Sequence, residues 1–216
     1  MQIPDGGLPH CYNVAHRFAA PRWDFATPAP QSGSLRYMRF FLALCIASLL
    51  MASGELSGRR APGFSLPDVK GEQHDLQDYR GKIVLLEIMQ TNCPHCRAFS
   101  KILDEAQVKY AGQVVALSVV NPPDNFNTVV KYIQDVKPAF PILFDSGQMA
   151  ISYTKASAAN PSIDLPHLFI INAGGMIVND YGYAAGPKAI FEGRALFTEL
   201  DRIMAAMPAP PAAKKK

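Results

Sequence analysis

A Cys-x-x-Cys pair directly after an apolar run constrains the fold of this sequence more than any other feature. Cys93 and Cys96 are one helical turn apart and follow the run from Ile83 to Met89, in which Glu87 is the only charged residue. Such a run predicts a strand buried on both faces of a parallel sheet. Two thiols at the start of the helix that follows are typical of a dithiol/disulfide redox centre.

Structural roles explain this cysteine pair less well. A disulfide between neighbouring turns closes too short a loop to stabilise the chain much, because that effect grows with loop length. A structural zinc site needs four ligands, and His74, His95 and His167 do not fall at finger-like spacing. The other two cysteines, Cys11 and Cys45, precede the predicted domain. We therefore predict no metal and no cofactor other than the redox-active disulfide itself.

Residues 35–54 have the layout of a signal peptide. Arg36 and Arg39 precede 15 uncharged residues, 40–54, which end in small side chains. As a helix this stretch would reach about 22 Å, short of the roughly 30 Å hydrocarbon core of a bilayer. We predict export by this segment, with cleavage favoured over a retained membrane anchor, and a periplasmic or other extracytoplasmic location.

The remaining residues suggest one domain with two flanking parts. Residues 1–34 lack periodicity, and we interpret them as an N-terminal extension or a mis-assigned start. Residues 55–207 form the predicted domain, and residues 208–216, rich in Pro, Ala and Lys, a disordered tail. Lys and Arg nearly balance Asp and Glu, 21 against 18. This balance offers no basic face for nucleic acid, and we expect a monomer.

Alternating strand and helix patterns define the fold class. Apolar strands at Ile83–Met89 and Val114–Val120 flank a helical pattern, which predicts a parallel crossover unit. Leu168–Asn172 and Met176–Tyr181 predict an antiparallel hairpin. We therefore predict an α/β fold, a mixed central sheet with helices on both faces. The other predicted elements are strands at Ala61–Leu66 and Ile142–Phe144, helices through residues 96–110, 129–136, 149–153 and 188–207, and a polar loop over 155–164.

Four segments of the predicted domain carry a family pattern. They are Ala61-Pro62-Gly63-Phe64-Ser65-Leu66-Pro67-Asp68, Gly71, Tyr79-Arg80-Gly81-Lys82-Ile83-Val84-Leu85-Leu86 and Cys93-Pro94-His95-Cys96. Together they resemble the exported thioredoxin-like proteins of the TlpA/ResA type, which are related to AhpC/TSA proteins, over residues 59–207. The resemblance implies a thioredoxin fold and thiol:disulfide oxidoreductase activity. The segment 89–92 departs from it, because the usual aromatic and Trp before the first cysteine are absent, so part of the customary docking surface is missing.

The residues of the motif predict different chemical roles for its two cysteines. Free backbone N–H groups and the dipole at a helix N-terminus stabilise a thiolate, so Cys93 is the expected nucleophile. Cys96, one turn further in, is expected to resolve the mixed disulfide. A protonated His95 would add positive charge beside the thiolate and make the pair more oxidising. The alternative for His95 is a solvent-facing residue with little effect.

Two further site residues are expected from their positions. Glu87 lies where thioredoxin-like proteins often carry a buried acid, and burial would raise its pKa so that it exchanges a proton with Cys96. Alternatively, Glu87 reaches water or pairs with a lysine. Pro166 matches the proline, usually cis, that this fold places opposite the cysteines, which implies that the backbone of Leu165 binds a substrate chain. For His167 there are two alternatives: its side chain lies near the sulfurs, or it has a structural role.

The expected partners are exported proteins with cysteines and a soluble or membrane redox partner. The direction of electron transfer stays open, because Pro94-His95 resembles the strongly oxidising DsbA while many TlpA/ResA-type proteins are reductants. One alternative function is a Sco-like copper chaperone with His167 as remote ligand, although such proteins space their cysteines by three residues. Another is a peroxiredoxin, but Glu87 and Gln90 occupy the places of its motif Pro and Thr/Ser.

Overall fold

The computed structural model describes residues 56–207, which fold around a six-stranded sheet. The predicted segments 1–34, 35–54 and 208–216 lie outside the described residues, as do Cys11 and Cys45. No helix of the described part combines the length and apolar character needed to cross a bilayer. The strands are β1 Arg59–Arg60, β2 Ser65–Pro67, β3 Gln73–Asp75, β4 Ile83–Met89, β5 Val114–Val120, β6 Ile142–Phe144, β7 His167–Ile171 and β8 Met176–Gly182. The helices are α1 Pro94–Lys109, α2 Phe126–Val136, α3 Gln148–Thr154 and α4 Arg194–Ala205, with 3-10 turns at Leu76–Tyr79 and Lys188–Ile190.

The order of strands in the sheet is β1-β8-β7-β4-β5-β6, and β2 and β3 form a separate hairpin. β4 pairs in parallel with β5, and β5 with β6. β7 is antiparallel to both β4 and β8. The predicted mixed sheet and the predicted hairpin of β7 and β8 are therefore confirmed, and β4 lies in the middle of the sheet.

Each face of the sheet has its own apolar core, because successive side chains of a strand point to opposite faces. Along β4, Leu85 and Met89 belong to the core that contains Cys96, whereas Leu86 and Ile88 belong to the other core. Helices α1, α2 and α4 contribute buried side chains to the first core, which we call the cysteine face. Helix α3 covers the second core, which we call the opposite face. The predicted helices on both faces are thus present.

Two predicted elements differ from the structure. The expected entry strand at Ala61–Leu66 is present only at its end, where Ser65 and Leu66 belong to β2. Residues 61–64 separate β2 from β1 and form no strand, and they include Pro62, which has no N–H for a strand ladder. The expected helix over 188–207 is interrupted at Gly193, whose φ is +92°. A Cβ at Gly193 would lie 3.1 Å from Ile102. The close approach of α1 and the left-handed backbone explain why the chain breaks here and restarts as α4.

Candidate active site

The two cysteines occupy different depths at the start of α1. β4 ends at Met89, and Cys93 is the N-cap of α1, with Pro94 in the first turn, where its missing N–H costs no helix hydrogen bond. The backbone N–H of Cys96 donates to Sγ of Cys93 over 3.3 Å. Cys93 is partly exposed and Cys96 has no exposed surface, and both are free thiols. An outside molecule can therefore reach the first sulfur but not the second.

Their electrostatic surroundings differ as well. The N–H of Cys96 and the N-terminal end of the 16-residue helix α1 both favour negative charge on the sulfur of Cys93. Burial, reinforced by the charge of Glu87, raises the pKa of the Cys96 thiol well above its ordinary range. The geometry thus provides one sulfur suited to attack and one that stays protonated until a base removes its proton.

Glu87 is the buried acid next to this pair. Its side chain has no exposed surface, and it points to the cysteine face, as expected from the alternation along β4. The hydroxyl of Ser118, the residue opposite Glu87 on β5, donates to its Oε2, while Oε1 has no hydrogen-bond partner among the described residues. Burial raises the pKa of Glu87 to about 8, and the hydrogen bond from Ser118 opposes this rise only in part. The alternative of an acid that reaches water or pairs with a lysine does not fit this position.

The predicted cis peptide bond is present between Leu165 and Pro166. Leu165 and Cys93 both pack, partly exposed, against the core of the cysteine face. The carbonyl oxygen of Pro166 accepts a hydrogen bond from the backbone N–H of Tyr183 over 3.1 Å. The loop that ends in Pro166 is therefore held by the segment that follows β8.

His95 is exposed in the first turn of α1, and its ring stacks on the ring of Tyr183. The ring centroids are 4.1 Å apart and the planes are inclined by 20°. His95 is thus in a defined contact, unlike the freely solvated residue of the alternative interpretation. Tyr183 was not a predicted site residue, because nothing in its sequence surroundings links it to the cysteines.

His167 lies on the opposite face of the sheet. Its imidazole is buried, stacks on Phe169 at 4.5 Å and has its Nε2 3.5 Å from Oδ2 of Asp180. Phe169 belongs to the core of the opposite face, whereas Cys96 belongs to the other core. Of the two alternatives for His167, this position favours the structural histidine, and it does not support His167 as the remote ligand of the Sco-like alternative.

A second set of residues fixes the turn before Cys93. Both carboxylate oxygens of Asp124 accept hydrogen bonds from Thr91, one from its backbone N–H at 2.9 Å and one from its hydroxyl. The hydroxyl of Thr128 in α2 donates to the same carboxylate over 2.8 Å. Neither Thr91 nor Asp124 was a predicted site residue. Asp124 therefore joins the chain ahead of the cysteines to the start of α2.

Potential metal ligands come together elsewhere in the described residues. Atoms of Asp68, Glu72 and His74 lie within 4.8 Å of one another. Asp68 accepts hydrogen bonds from the backbone N–H groups of Lys70 and Glu72, and Nδ1 of His74 is 2.8 Å from the hydroxyl of Tyr79. Neither cysteine belongs to this group, so it adds nothing to the redox centre.

Comparisons with known proteins agree with this geometry. The model of the AhpC/TSA family matches residues 57–179. Thiol-disulfide oxidoreductase ResA from Geobacillus kaustophilus is 32% identical over 120 residues, 56% of this chain and 66% of that protein. Thioredoxin-like protein YneN from Bacillus subtilis is 31% identical over 126 residues, 57% of this chain and 70% of that protein. The matched part thus spans about two thirds of the length of these relatives.

Solved structures show the same fold. A protein provisionally named thiol:disulfide interchange protein DsbE from Chlorobium tepidum superposes with a TM-score of 0.58 at 24% identity, over 68% of this chain and 97% of that chain. A protein provisionally named a thioredoxin from Neisseria meningitidis gives a TM-score of 0.55 at 25% identity, over 70% and 94%. The predictions of a thioredoxin-like fold and of a ResA-type oxidoreductase are confirmed by these neighbours and relatives. The chain belongs to the AhpC/TSA family and has relatives within the ResA-type thiol-disulfide oxidoreductases.

Proposed function

We propose that this protein is an exported thiol:disulfide oxidoreductase that exchanges disulfides with cysteine-containing proteins through Cys93 and Cys96. One observation carries the proposal: a partly exposed sulfur caps a helix, and a fully buried sulfur lies behind it beside an acid without an ion-pair partner in the described residues. This arrangement separates attack from resolution. The pair needs no other cofactor, since the sulfurs carry both electrons.

In the first step the thiolate of Cys93 attacks one sulfur of a substrate disulfide. A bond forms between Sγ of Cys93 and that sulfur, the substrate S–S bond breaks, and the second substrate sulfur leaves as a thiolate that takes a proton from solvent. The exposure of Cys93 and the N-terminal end of α1 support its role as the attacking group.

In the second step Cys96 loses its proton to the carboxylate of Glu87 and attacks Sγ of Cys93. The mixed disulfide breaks, the remaining substrate sulfur leaves as a thiolate, and the Cys93–Cys96 disulfide forms. Two electrons pass in total from the cysteine pair to the substrate, the proton of Cys96 moves to Glu87, and both substrate thiolates take their protons from solvent. The unpaired Oε1 of Glu87 supports its role as proton acceptor. The reverse sequence transfers a disulfide to a substrate, with Glu87 returning the proton.

Substrate binding is assigned to the loop at Leu165 and Pro166. We propose that an extended substrate chain pairs with the backbone of Leu165, which packs, partly exposed, against the cores of both faces, while Cys93 packs against the core of the cysteine face. Export rests on the charge pattern of residues 35–54, which agrees with partners in an oxidising compartment. The partners are then exported proteins and a soluble or membrane-bound redox protein.

The test is to trap the intermediate on the full-length protein. With a disulfide-linked peptide, Cys96→Ser should accumulate a stable mixed disulfide at Cys93, detectable by mass, while Cys93→Ser should form none. With reduced glutathione present to reduce the Cys93–Cys96 disulfide again, wild-type protein should reduce the peptide disulfide in repeated turnovers. Turnover that persists in Cys93→Ser contradicts the proposal, and peroxide consumption faster than disulfide exchange would favour the peroxiredoxin alternative. The equilibrium with glutathione then gives the direction of transfer.

A further inference from the structure

Tyr183 connects the two parts of the redox centre. The residue directly follows β8, and its ring stacks on His95 of the Cys-Pro-His-Cys turn with centroids 4.1 Å apart. Its backbone N–H donates to the carbonyl oxygen of Pro166 over 3.1 Å. One residue therefore contacts the motif through its side chain and the cis-proline loop through its backbone.

The segment around Tyr183 is itself fixed. Oδ2 of Asp164, two residues before Pro166, accepts hydrogen bonds from the N–H groups of Ala184 and Ala185 at 2.7 and 3.1 Å. A Cβ at Gly182 would lie 2.5 Å from the same oxygen, so the absence of a side chain there permits this close approach. The cis-proline loop and the segment after β8 are thus joined by several hydrogen bonds.

The ring of Tyr183 is anchored from behind. It packs against Phe191 with centroids 5.4 Å apart, and Phe191 meets Phe99 of α1 edge to face at 5.0 Å. Phe99 has no exposed surface. The position of the ring is therefore set by the core of the cysteine face and not by His95.

The face of the Tyr183 ring also attracts positive charge. The face of an aromatic ring attracts a cation within about 6 Å, and Nζ of Lys188 lies 5.5 Å from the centroid of Tyr183. The stacked imidazole of His95 gains the same attraction when it is protonated. The ring thus holds a chargeable group in the first turn of α1, two residues along the chain from Cys93.

We propose that Tyr183 is a positioning residue of the redox centre. It fixes the imidazole of His95 in the first turn of α1, the helix that Cys93 caps, and a positive charge there favours the thiolate of Cys93 and hence the reduced state of the pair. Its backbone N–H, which donates to the carbonyl oxygen of Pro166, keeps the cis-proline loop in a fixed position relative to the motif. This inference rests on the proposed function, and it adds a residue that sets the redox equilibrium of the pair.

The test is the equilibrium of the full-length protein with reduced and oxidised glutathione. Tyr183→Leu keeps apolar volume but removes the aromatic face, and it should shift the equilibrium about threefold toward the disulfide form, the effect expected for losing one exposed cation–π contact. Tyr183→Phe should behave like wild type, because it keeps the ring. Tyr79→Leu, which removes a partly buried ring beside His74, is the matched control and should leave the equilibrium unchanged.

A double substitution separates positioning from packing. In a His95→Gln background, Tyr183→Leu should cause no further shift, because the group it positions is gone. An equal shift in both backgrounds, or no shift in either, overturns the inference. If the wild-type protein itself exchanges no disulfides with glutathione, the proposed function fails first, so the two failures are distinguishable.

Discussion

Glu87 and His167 are two buried titratable side chains at nearly the same level of the sheet, one on each face. Glu87 of β4 is opposite Leu168, and His167 of β7 is opposite Ile88. His167 has the carboxylate of Asp180 at 3.5 Å, whereas Glu87 receives only a hydroxyl hydrogen bond and keeps Oε1 unpaired. On the opposite face the imidazole thus lies beside a carboxylate, although its Nε2 makes no hydrogen bond among the described residues, whereas on the cysteine face Glu87 lies beside a hydroxyl.

This difference indicates that Glu87 has a chemical role and that His167 has a structural one. A buried ionised group without a partner is costly, and the cost appears as a shifted pKa. Glu87 has such a shift, to about 8, and the thiol it can serve is Cys96. A buried histidine with a carboxylate partner needs no further explanation than packing. We therefore expect changes at Glu87 to affect chemistry and pH dependence, and changes at His167 to affect stability.

The largest expected effect is on the pH dependence of stability. The folded protein keeps Glu87 protonated up to about pH 8, whereas the unfolded chain releases this proton near the ordinary value of 4.5. The free energy of unfolding should therefore fall as the pH rises from about 4.5 to 8, by at most about 5 kcal/mol. Urea unfolding of the reduced protein between pH 5 and 8.5 measures this slope, below the range in which Cys96 titrates.

Glu87→Gln cannot titrate and should flatten this profile, with greater stability than wild type at pH 8. Glu105→Gln removes an exposed carboxylate from α1 and is the matched control, which should retain the wild-type slope. Parallel profiles for wild type and Glu87→Gln would show that Glu87 does not stay protonated in the folded protein.

The next effect concerns the resolving step. Glu87→Gln should slow release of the mixed disulfide about 100-fold, a typical contribution of a general base, while attack by Cys93 changes little. In wild type the release rate should rise with pH toward 8 as Glu87 ionises. Ser118→Ala removes the hydrogen bond that favours the ionised form, so it should move this profile to higher pH. Stopped-flow measurements with a fluorescent peptide disulfide follow both steps, and equal release rates in wild type and Glu87→Gln would assign the residue to structure alone.

The smallest effect is expected on the opposite face. His167→Phe keeps the stack on Phe169 but leaves the carboxylate of Asp180 without its imidazole, and it should lower the free energy of unfolding by about 1–3 kcal/mol. Disulfide exchange measured with the same peptide should continue at the wild-type rate. Lost exchange at unchanged stability would bring His167 back into the redox site and reopen the copper interpretation.

The sequence predicted most of the sheet because β4, β5 and β6 are apolar runs that contain at most one polar residue each. β4, β5 and β6 begin and end where their runs do. The break before the last helix was not predicted, since apolar residues continue at helical spacing on both sides of Gly193. Only the approach of Ile102 and the positive φ explain the break, and both depend on tertiary structure.

The candidate site likewise contains some residues that the sequence predicts and others that only the structure reveals. Cys93, Cys96 and Glu87 are local in sequence, and the resemblance to thioredoxin-like proteins was enough to predict a buried acid at Glu87. Ser118 could have been found as well, because it is the one polar residue of β5 and parallel pairing brings it opposite Glu87. Tyr183 and Asp124 could not, since their roles come from contacts with residues far away in the chain.

The unequal depth of the two sulfurs has a consequence for the life of any complex. A bulky molecule can become covalently attached only at the outer sulfur, because the inner one has no surface to offer. Every such adduct forms one helical turn from the thiol that cleaves it. Under the proposed mechanism, release therefore needs no outside reductant, and the time for which a client stays attached is set within the protein, by how quickly the buried thiol loses its proton.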